Sequence, residues 1–84
     1  MASITLRCFA SAREAAGRST DTFDGATIAD IRRAASQRYG REWDAVVATA
    51  RIWVNGDEPD SGDATLLHDG DEVAVLPPVS GGAR

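Results

Sequence analysis

Glu72-Val73-Ala74-Val75-Leu76-Pro77-Pro78 decides the fold. Four consecutive apolar residues, two of them β-branched, read as a short strand apolar enough to lie centrally in a sheet. Asp69-Gly70-Asp71 makes a tight turn before it. Pro77 and Pro78 have no N–H to donate and favour an extended path, so the sheet stops at Leu76. A central strand needs neighbours. Ile4-Thr5-Leu6-Arg7-Cys8-Phe9 supplies one, with Ile4, Leu6 and Cys8 on one face at period two. Arg51-Ile52-Trp53-Val54 supplies another, followed by Asn55-Gly56, the pair that best tolerates the positive φ angles of a type I′ turn. Thr20-Asp21-Thr22-Phe23 is a weaker strand ended by Asp24-Gly25, and Thr65-Leu66-Leu67 a short extended piece.

The sheet also needs cover. Thr27-Ile28-Ala29-Asp30 resembles a capping box, with Asp shorter than the preferred Glu or Gln. Ile28, Ile31, Ala35 and Tyr39 then recur at helical spacing as one apolar stripe, and Gly40 ends the helix. Ser11 to Ala16 is a short helical turn stopped by Gly17, while Glu42 to Val47 reads as a second short helix or an irregular cover. The order β, β, α, β, short β, β predicts an α+β fold. It is the β-grasp, or ubiquitin-like, arrangement: a mixed sheet of four to five strands with one main helix across one face. Residues 1–78 form this domain, and 79–84 a flexible C-terminal tail.

Composition narrows the function. Eighty-four residues make one domain. A net charge of −4 argues against a general nucleic-acid binder, which needs a basic surface to displace counterions. No apolar run approaches the roughly 18 residues of a membrane span, and no secretory signal opens the chain, so the cytoplasm is the expected compartment. One cysteine, Cys8, excludes an internal disulfide and a multi-cysteine metal site. No metal ligand set and no cofactor are expected. All nine basic residues are arginine, so no lysine is present for a Schiff base or as an isopeptide acceptor. The charge is split: residues 1–51 are slightly basic, whereas residues 52–83 carry seven acids and no arginine. That reads as a solvated acidic edge or as a guide for a basic partner.

After the prolines come Val79-Ser80-Gly81-Gly82-Ala83-Arg84. Gly81 and Gly82 lack a β-carbon, so the segment reads as a stiff exit with a slender tip; on composition alone it is equally a frayed terminus. Three stretches resemble the MoaD/ThiS family of sulfur-carrier proteins, most closely its molybdopterin synthase small subunits. They are Phe9-Ala10-Ser11-Ala12-Arg13-Glu14-Ala15-Ala16-Gly17, Val54-Asn55-Gly56, and the run from Asp69 through Gly82. The resemblance implies a carrier that is not itself an enzyme. An ATP-dependent adenylating enzyme activates the C-terminal glycine carboxylate, sulfur replaces the adenylate, and the loaded tail enters the large subunit of molybdopterin synthase. Gly82 matches the residue that carries sulfur, Gly81 the slender penultimate unit, and Pro77, Pro78, Val79 and Ser80 the stretch that seats the tail on the partner. This chain departs from the family by continuing with Ala83-Arg84. The expectation is therefore cleavage between Gly82 and Ala83 by a processing peptidase. Carriers for thiamine or cysteine synthesis, and a ubiquitin-like protein modifier joined through Gly82, remain open as alternatives.

The remaining residues have plainer readings. Cys8 packs in the core, since no neighbouring His or basic pair would lower its pKa. His68 caps or lines the turn before Asp69. Trp43 lids the core. Trp53 points to the sheet surface, because Ile52 and Val54 share the opposite face, and with Phe9 it is a candidate interface anchor. Arg13 and Glu14 have no derivable chemical role beyond a local ion pair or helix-end contact.

Overall fold

A computed structural model describes residues 1–78. The elements are β1 (Ala2–Cys8), α1 (Ala10–Ala16), β2 (Thr20–Gly25), α2 (Ile28–Tyr39), α3 (Arg41–Val47), β3 (Arg51–Val54), a single 3-10 turn (Gly62–Ala64) and β4 (Glu72–Leu76). The four strands form one sheet in the order β2-β1-β4-β3. The first and last strands are parallel central neighbours, and each carries an antiparallel edge strand outside it. With α2 laid across one face, this is the β-grasp topology.

Alternation builds the core. Ala2, Ile4, Leu6 and Cys8 of β1, Phe23 of β2, and Val73 and Val75 of β4 are buried beneath Ile28, Ile31 and Ala35 of α2. Trp43 and Val47 of α3 and Ala12 of α1 close the same cluster. Helix α2 starts as its sequence proposes. Thr27 Oγ1 accepts from the Asp30 N–H at 3.3 Å, and Asp30 Oδ2 accepts from the Thr27 N–H at 3.2 Å. The short Asp suffices because the same oxygen also accepts from the Ala26 N–H, at 2.9 Å.

Several details differ from the sequence reading. Asp24 and Gly25 continue β2 rather than ending it, because Gly25 pairs with Ala2. Glycine is needed there for close approach: a β-carbon would lie 2.8 Å from Asp30 Cβ and 2.9 Å from Ile31 Cδ1. Thr65-Leu66-Leu67 is not a strand. It makes one isolated bridge, Leu66 to Thr27, and its role is to bury Leu67 against the start of α2. Strand β1 stops at Cys8, and Phe9 becomes the residue that opens α1, its carbonyl accepting from Ala12 and Arg13. Residues 42–47 lie within a true helix, so Trp43 sits inside the core at 2% exposure rather than over it.

The C-terminal end of α2 is fastened to the edge strand through Asp21. The Tyr39 hydroxyl donates to Asp21 Oδ2 at 2.6 Å, and Arg38 Nη1 lies 3.0 Å from the same oxygen, stacked over the Phe23 ring at 4.1 Å. The Tyr39 hydrogen bond, helped by the Thr22 N–H and by Arg38, holds the Asp21 carboxyl down at about 2. Burial, then Asp21, pushes the Tyr39 hydroxyl up. Tyr39→Phe is expected to cost about 1 kcal/mol, since the bond is charge-assisted but partly solvated. Asp21 has a depressed folded pKa, so its contribution is present above the ordinary carboxylate value of about 4 and is lost as pH falls toward 2. Urea titrations of wild type and Tyr39→Phe should therefore differ at neutral pH and converge in acid.

Candidate functional site at the exit of strand β4

The sheet face opposite α2 has no helix over it among the described residues. Pairing register says which side chains it carries. Because Ile52 and Val54 pair with the inward Val75 and Val73, the alternate residues Arg51 and Trp53 lie on the open face, opposite Leu76 and Ala74. Arg7 flanks Ala74 from the β1 side. Trp53, Ala74 and Arg7 thus form one row across three strands, with small Ala74 leaving room for the indole. Where β4 ends, Thr49, Arg51, Trp53, Leu76, Pro77 and Pro78 line a shallow groove. Phe9 stands at the same end: its N–H donates to the Val75 carbonyl at 3.3 Å, and its ring is 38% exposed, with the Arg7 guanidinium 5.5 Å from its centroid.

The two candidate anchors therefore flank β4 near the point where the chain leaves the sheet, Phe9 on the β1 side and Trp53 on the β3 side. Pro77 and Pro78 form the rim of that groove. Val79, Ser80, Gly81, Gly82 and the Gly82–Ala83 bond lie outside the described residues. Trp53 Nε1 is buried and has no acceptor among the described residues, a defect that costs about 1–3 kcal/mol.

Arg7, Arg51, Thr49 and Leu76 were not singled out from the sequence. Alternation alone gives Arg51 from Trp53 and Leu76 from Val75. What sequence could not supply was that β1 and β3 both border β4, which brings Arg7 to the same surface.

The acidic turn serves another end of the strand. Asp69 Oδ1 accepts from the Ser3 N–H at 2.8 Å, and Asp71 accepts from Asn55 Nδ2 at 3.0 Å and from the His68 N–H at 2.8 Å. These carboxylates fix turns at the start of β4, about 13 Å from its exit by strand rise. His68 lines that turn, its Nδ1 3.8 Å from Asp71. Two of the family-like stretches, Val54-Asn55-Gly56 and the beginning of the Asp69 run, are thus in direct contact. The third places Phe9 at the other end of β4. Arg13 and Glu14 are exposed on α1 and take part in no ion pair among the described residues.

Cys8 is 2% exposed, and burial, followed by the Asp21 charge, pushes its thiol up to about 11. It is a packing residue. A thiol-reactive dye should label it only at the rate of global or local opening, so labelling should accelerate in step with urea unfolding.

No helix among the described residues is long and apolar enough to cross a membrane. The ThiS family model matches residues 6–82. The chain is 38% identical to a molybdopterin synthase sulfur carrier subunit from Chlamydomonas reinhardtii, over 94% of this chain and 98% of that one. It is also 38% identical, at the same coverage, to small archaeal modifier protein 3 from Haloferax volcanii. The solution structure of small archaeal modifier protein 1 from Methanosarcina acetivorans superposes with a TM-score of 0.87 at 31% identity, covering 98% of both chains. An exposed exit on a β-grasp body, three motifs gathered along one central strand and these end-to-end matches agree: the chain belongs to the ThiS family, of the MoaD/ThiS sulfur-carrier type.

Proposed function

We propose that this chain carries sulfur as a thiocarboxylate on Gly82 and serves as the small subunit of molybdopterin synthase in molybdenum cofactor biosynthesis. The observation that carries this reading is the likeness, along nearly the whole of both chains, to a sulfur carrier subunit of that enzyme. The family match also ends at Gly82, the residue assigned the chemistry.

In this sequence Ala83 follows Gly82, so the Gly82 carbonyl is an amide. A processing peptidase adds water across the Gly82–Ala83 bond and frees the carboxylate. An activating enzyme couples that carboxylate to the α-phosphorus of ATP, releasing pyrophosphate. A sulfide-level nucleophile then attacks the acyl carbon, AMP leaves, and a thiocarboxylate remains. ATP-dependent activation fits the cytoplasm as the compartment. The carrier contributes no catalytic side chain. It contributes a reach: Pro77, Pro78, Val79 and Ser80 seat the tail, Gly81 and Gly82 thread the partner's channel, and Phe9 and Trp53 anchor the body. The large synthase subunit meets the open sheet face, where its apolar side chains can pack on Trp53 and its acidic groups can pair with Arg7 and Arg51.

A second reading, a protein modifier joined through Gly82, is favoured by the equal identity to a small archaeal modifier protein. Incubating Gly82-ended protein with ATP, the host activating enzyme and a sulfur source separates the two. An intact mass raised by one oxygen-for-sulfur exchange supports the carrier. Conjugates of high mass in host extract support the modifier. An unchanged mass rejects both.

A further inference from the structure

The Asn55-Gly56 turn carries a chemical liability that its surroundings restrain. Its two residues have φ of 52° and 86°, and the turn is closed by Val54 and Asp57, whose backbones exchange hydrogen bonds of 2.8 and 3.0 Å. The Asn55 amide is clasped on both sides. Nδ2 donates to Asp71 Oδ1 at 3.0 Å, and Oδ1 accepts from the Glu72 N–H at 2.9 Å. A carboxylate only accepts and a backbone N–H only donates, so the amide can face one way only. The Asn55 N–H donates in turn to the Glu72 carbonyl at 2.8 Å. Asp71 is kept ionised, its carboxyl held low first by the Asn55 amide and next by the His68 N–H. This clasp ties the end of β3 to the start of β4.

Gly56 has no β-carbon to shield its nitrogen, and the space a β-carbon would fill is open to 4 Å. Both turn residues are exposed. Water and base therefore reach the one step that an Asn-Gly pair undergoes without a catalyst.

We propose that Asn55 is a site of spontaneous deamidation, restrained by the Asp71–Glu72 clasp, and that its product opens the clasp. The Gly56 nitrogen attacks Asn55 Cγ. A C–N bond forms, the Cγ–Nδ2 bond breaks, and ammonia leaves with the Gly56 amide proton. Water then opens the five-membered imide at either carbonyl, giving aspartate or isoaspartate. The step needs water alone. For Cγ to swing toward Gly56, Nδ2 must leave Asp71 and Oδ1 must leave the Glu72 N–H, so the closed clasp slows the reaction. The aspartate product places a carboxylate where an amide donor stood 3.0 Å from Asp71, and attraction becomes repulsion. The isoaspartate product adds a main-chain atom, which a two-residue turn cannot absorb. Either product loosens the β3–β4 join. The inference does not rest on the tail chemistry, and none of its readouts requires sulfur transfer.

The test is to age the full chain in mildly alkaline buffer and to map ammonia loss and isoaspartate at residue 55 by mass spectrometry. Wild type is expected to react several-fold more slowly when folded than in denaturing urea. Folded Asp71→Ala, which lacks one side of the clasp, is expected to react about five-fold faster than folded wild type, the factor set by one exposed hydrogen bond. Asn55→Asp is expected to reproduce the lowered melting temperature of the aged protein. Equal rates in folded wild type and Asp71→Ala would overturn the proposal. So would equal rates in folded and urea-unfolded wild type, a comparison that needs no variant to fold.

Discussion

Protein ending at Gly82 is expected to load sulfur, and the same chain retaining Ala83 and Arg84 is expected to stay at its starting mass. The contrast is near absolute because the two ends are different functional groups. A freed Gly82 presents a carboxylate, a competent nucleophile toward the α-phosphorus of ATP. An amide-bound Gly82 presents a carbonyl whose oxygen is a far weaker nucleophile and whose carbon has no leaving group that sulfide can displace. Any carboxylate beyond position 82 is displaced along the chain by at least one residue, about 3.3 Å, and sits on a residue with a β-carbon. Misplacement near 1 Å already costs about a hundred-fold in rate. The same steric demand holds one residue inward. In Gly82-ended protein, Gly81→Val is expected to cut loading by about that factor while leaving the melting temperature of the body unchanged. Loading of the uncut chain, or undiminished loading of Gly81→Val, would show that the reacting group is not a slender glycine end. A peptidase that converts the uncut chain into the active one should restore loading without any other change.

How far the sequence led depended on the range of the forces involved. Local signals were legible. The Thr27–Asp30 box, the positive φ of Asn55 and Gly56, and the alternation of β1 are each set by residues within a few positions of one another. Non-local facts were not. Asp24-Gly25 carries the chemistry of a turn, yet tertiary demand turned Gly25 into a strand residue that makes room for Asp30 and Ile31. Thr65-Leu66-Leu67 has strand composition, but it lies beside the start of α2 and finds one bridge there instead of a ladder. Of the site, Trp53 follows from alternation within β3, and Phe9 from its place on the face opposite Leu6. Their convergence with Leu76, Pro77, Arg7 and Arg51 follows from the strand order, which no local pattern encodes. Charge counting left the acidic stretch open between a solvated edge and a guide for a basic partner; what it could not show is that Asp69 Oδ1 holds the Ser3 N–H and that Asp71 holds Asn55 and the His68 N–H.

The two tryptophans test whether the molecule divides its stability and its recognition between opposite faces of one sheet. Trp43→Ala is expected to cost about 3–5 kcal/mol, the range for deleting a buried large aromatic. Its ring lies 4.9 Å from that of Tyr39, and it closes the cluster formed with Val47, Ile31 and the inward faces of β1 and β4. A domain of this size has about 5–10 kcal/mol in total, so Trp43→Ala should lose between about a third and all of its stability. Trp53 is also half-hidden, but it lies beside Ala74 and Leu76, with an indole N–H that has no acceptor among the described residues. Removing it loses contact area and removes an unsatisfied donor at the same time. These oppose each other, and the net cost to folding is expected near 1 kcal/mol. Trp53→Phe, which keeps most of the ring and drops the N–H, should be neutral or slightly stabilising. Binding should show the opposite order. Truncating an aromatic anchor at the centre of an interface costs about 2 kcal/mol or more, about thirty-fold in affinity. Trp53→Ala is therefore expected to fold and to lose the proposed large-subunit partner. Trp53→Phe, which keeps most of the apolar ring, should retain most of the binding. Urea melts paired with partner titrations of the three variants supply the measurement. If Trp53→Ala unfolded like Trp43→Ala, or bound its partner like wild type, the open face would be part of the core's support rather than the docking face of the carrier.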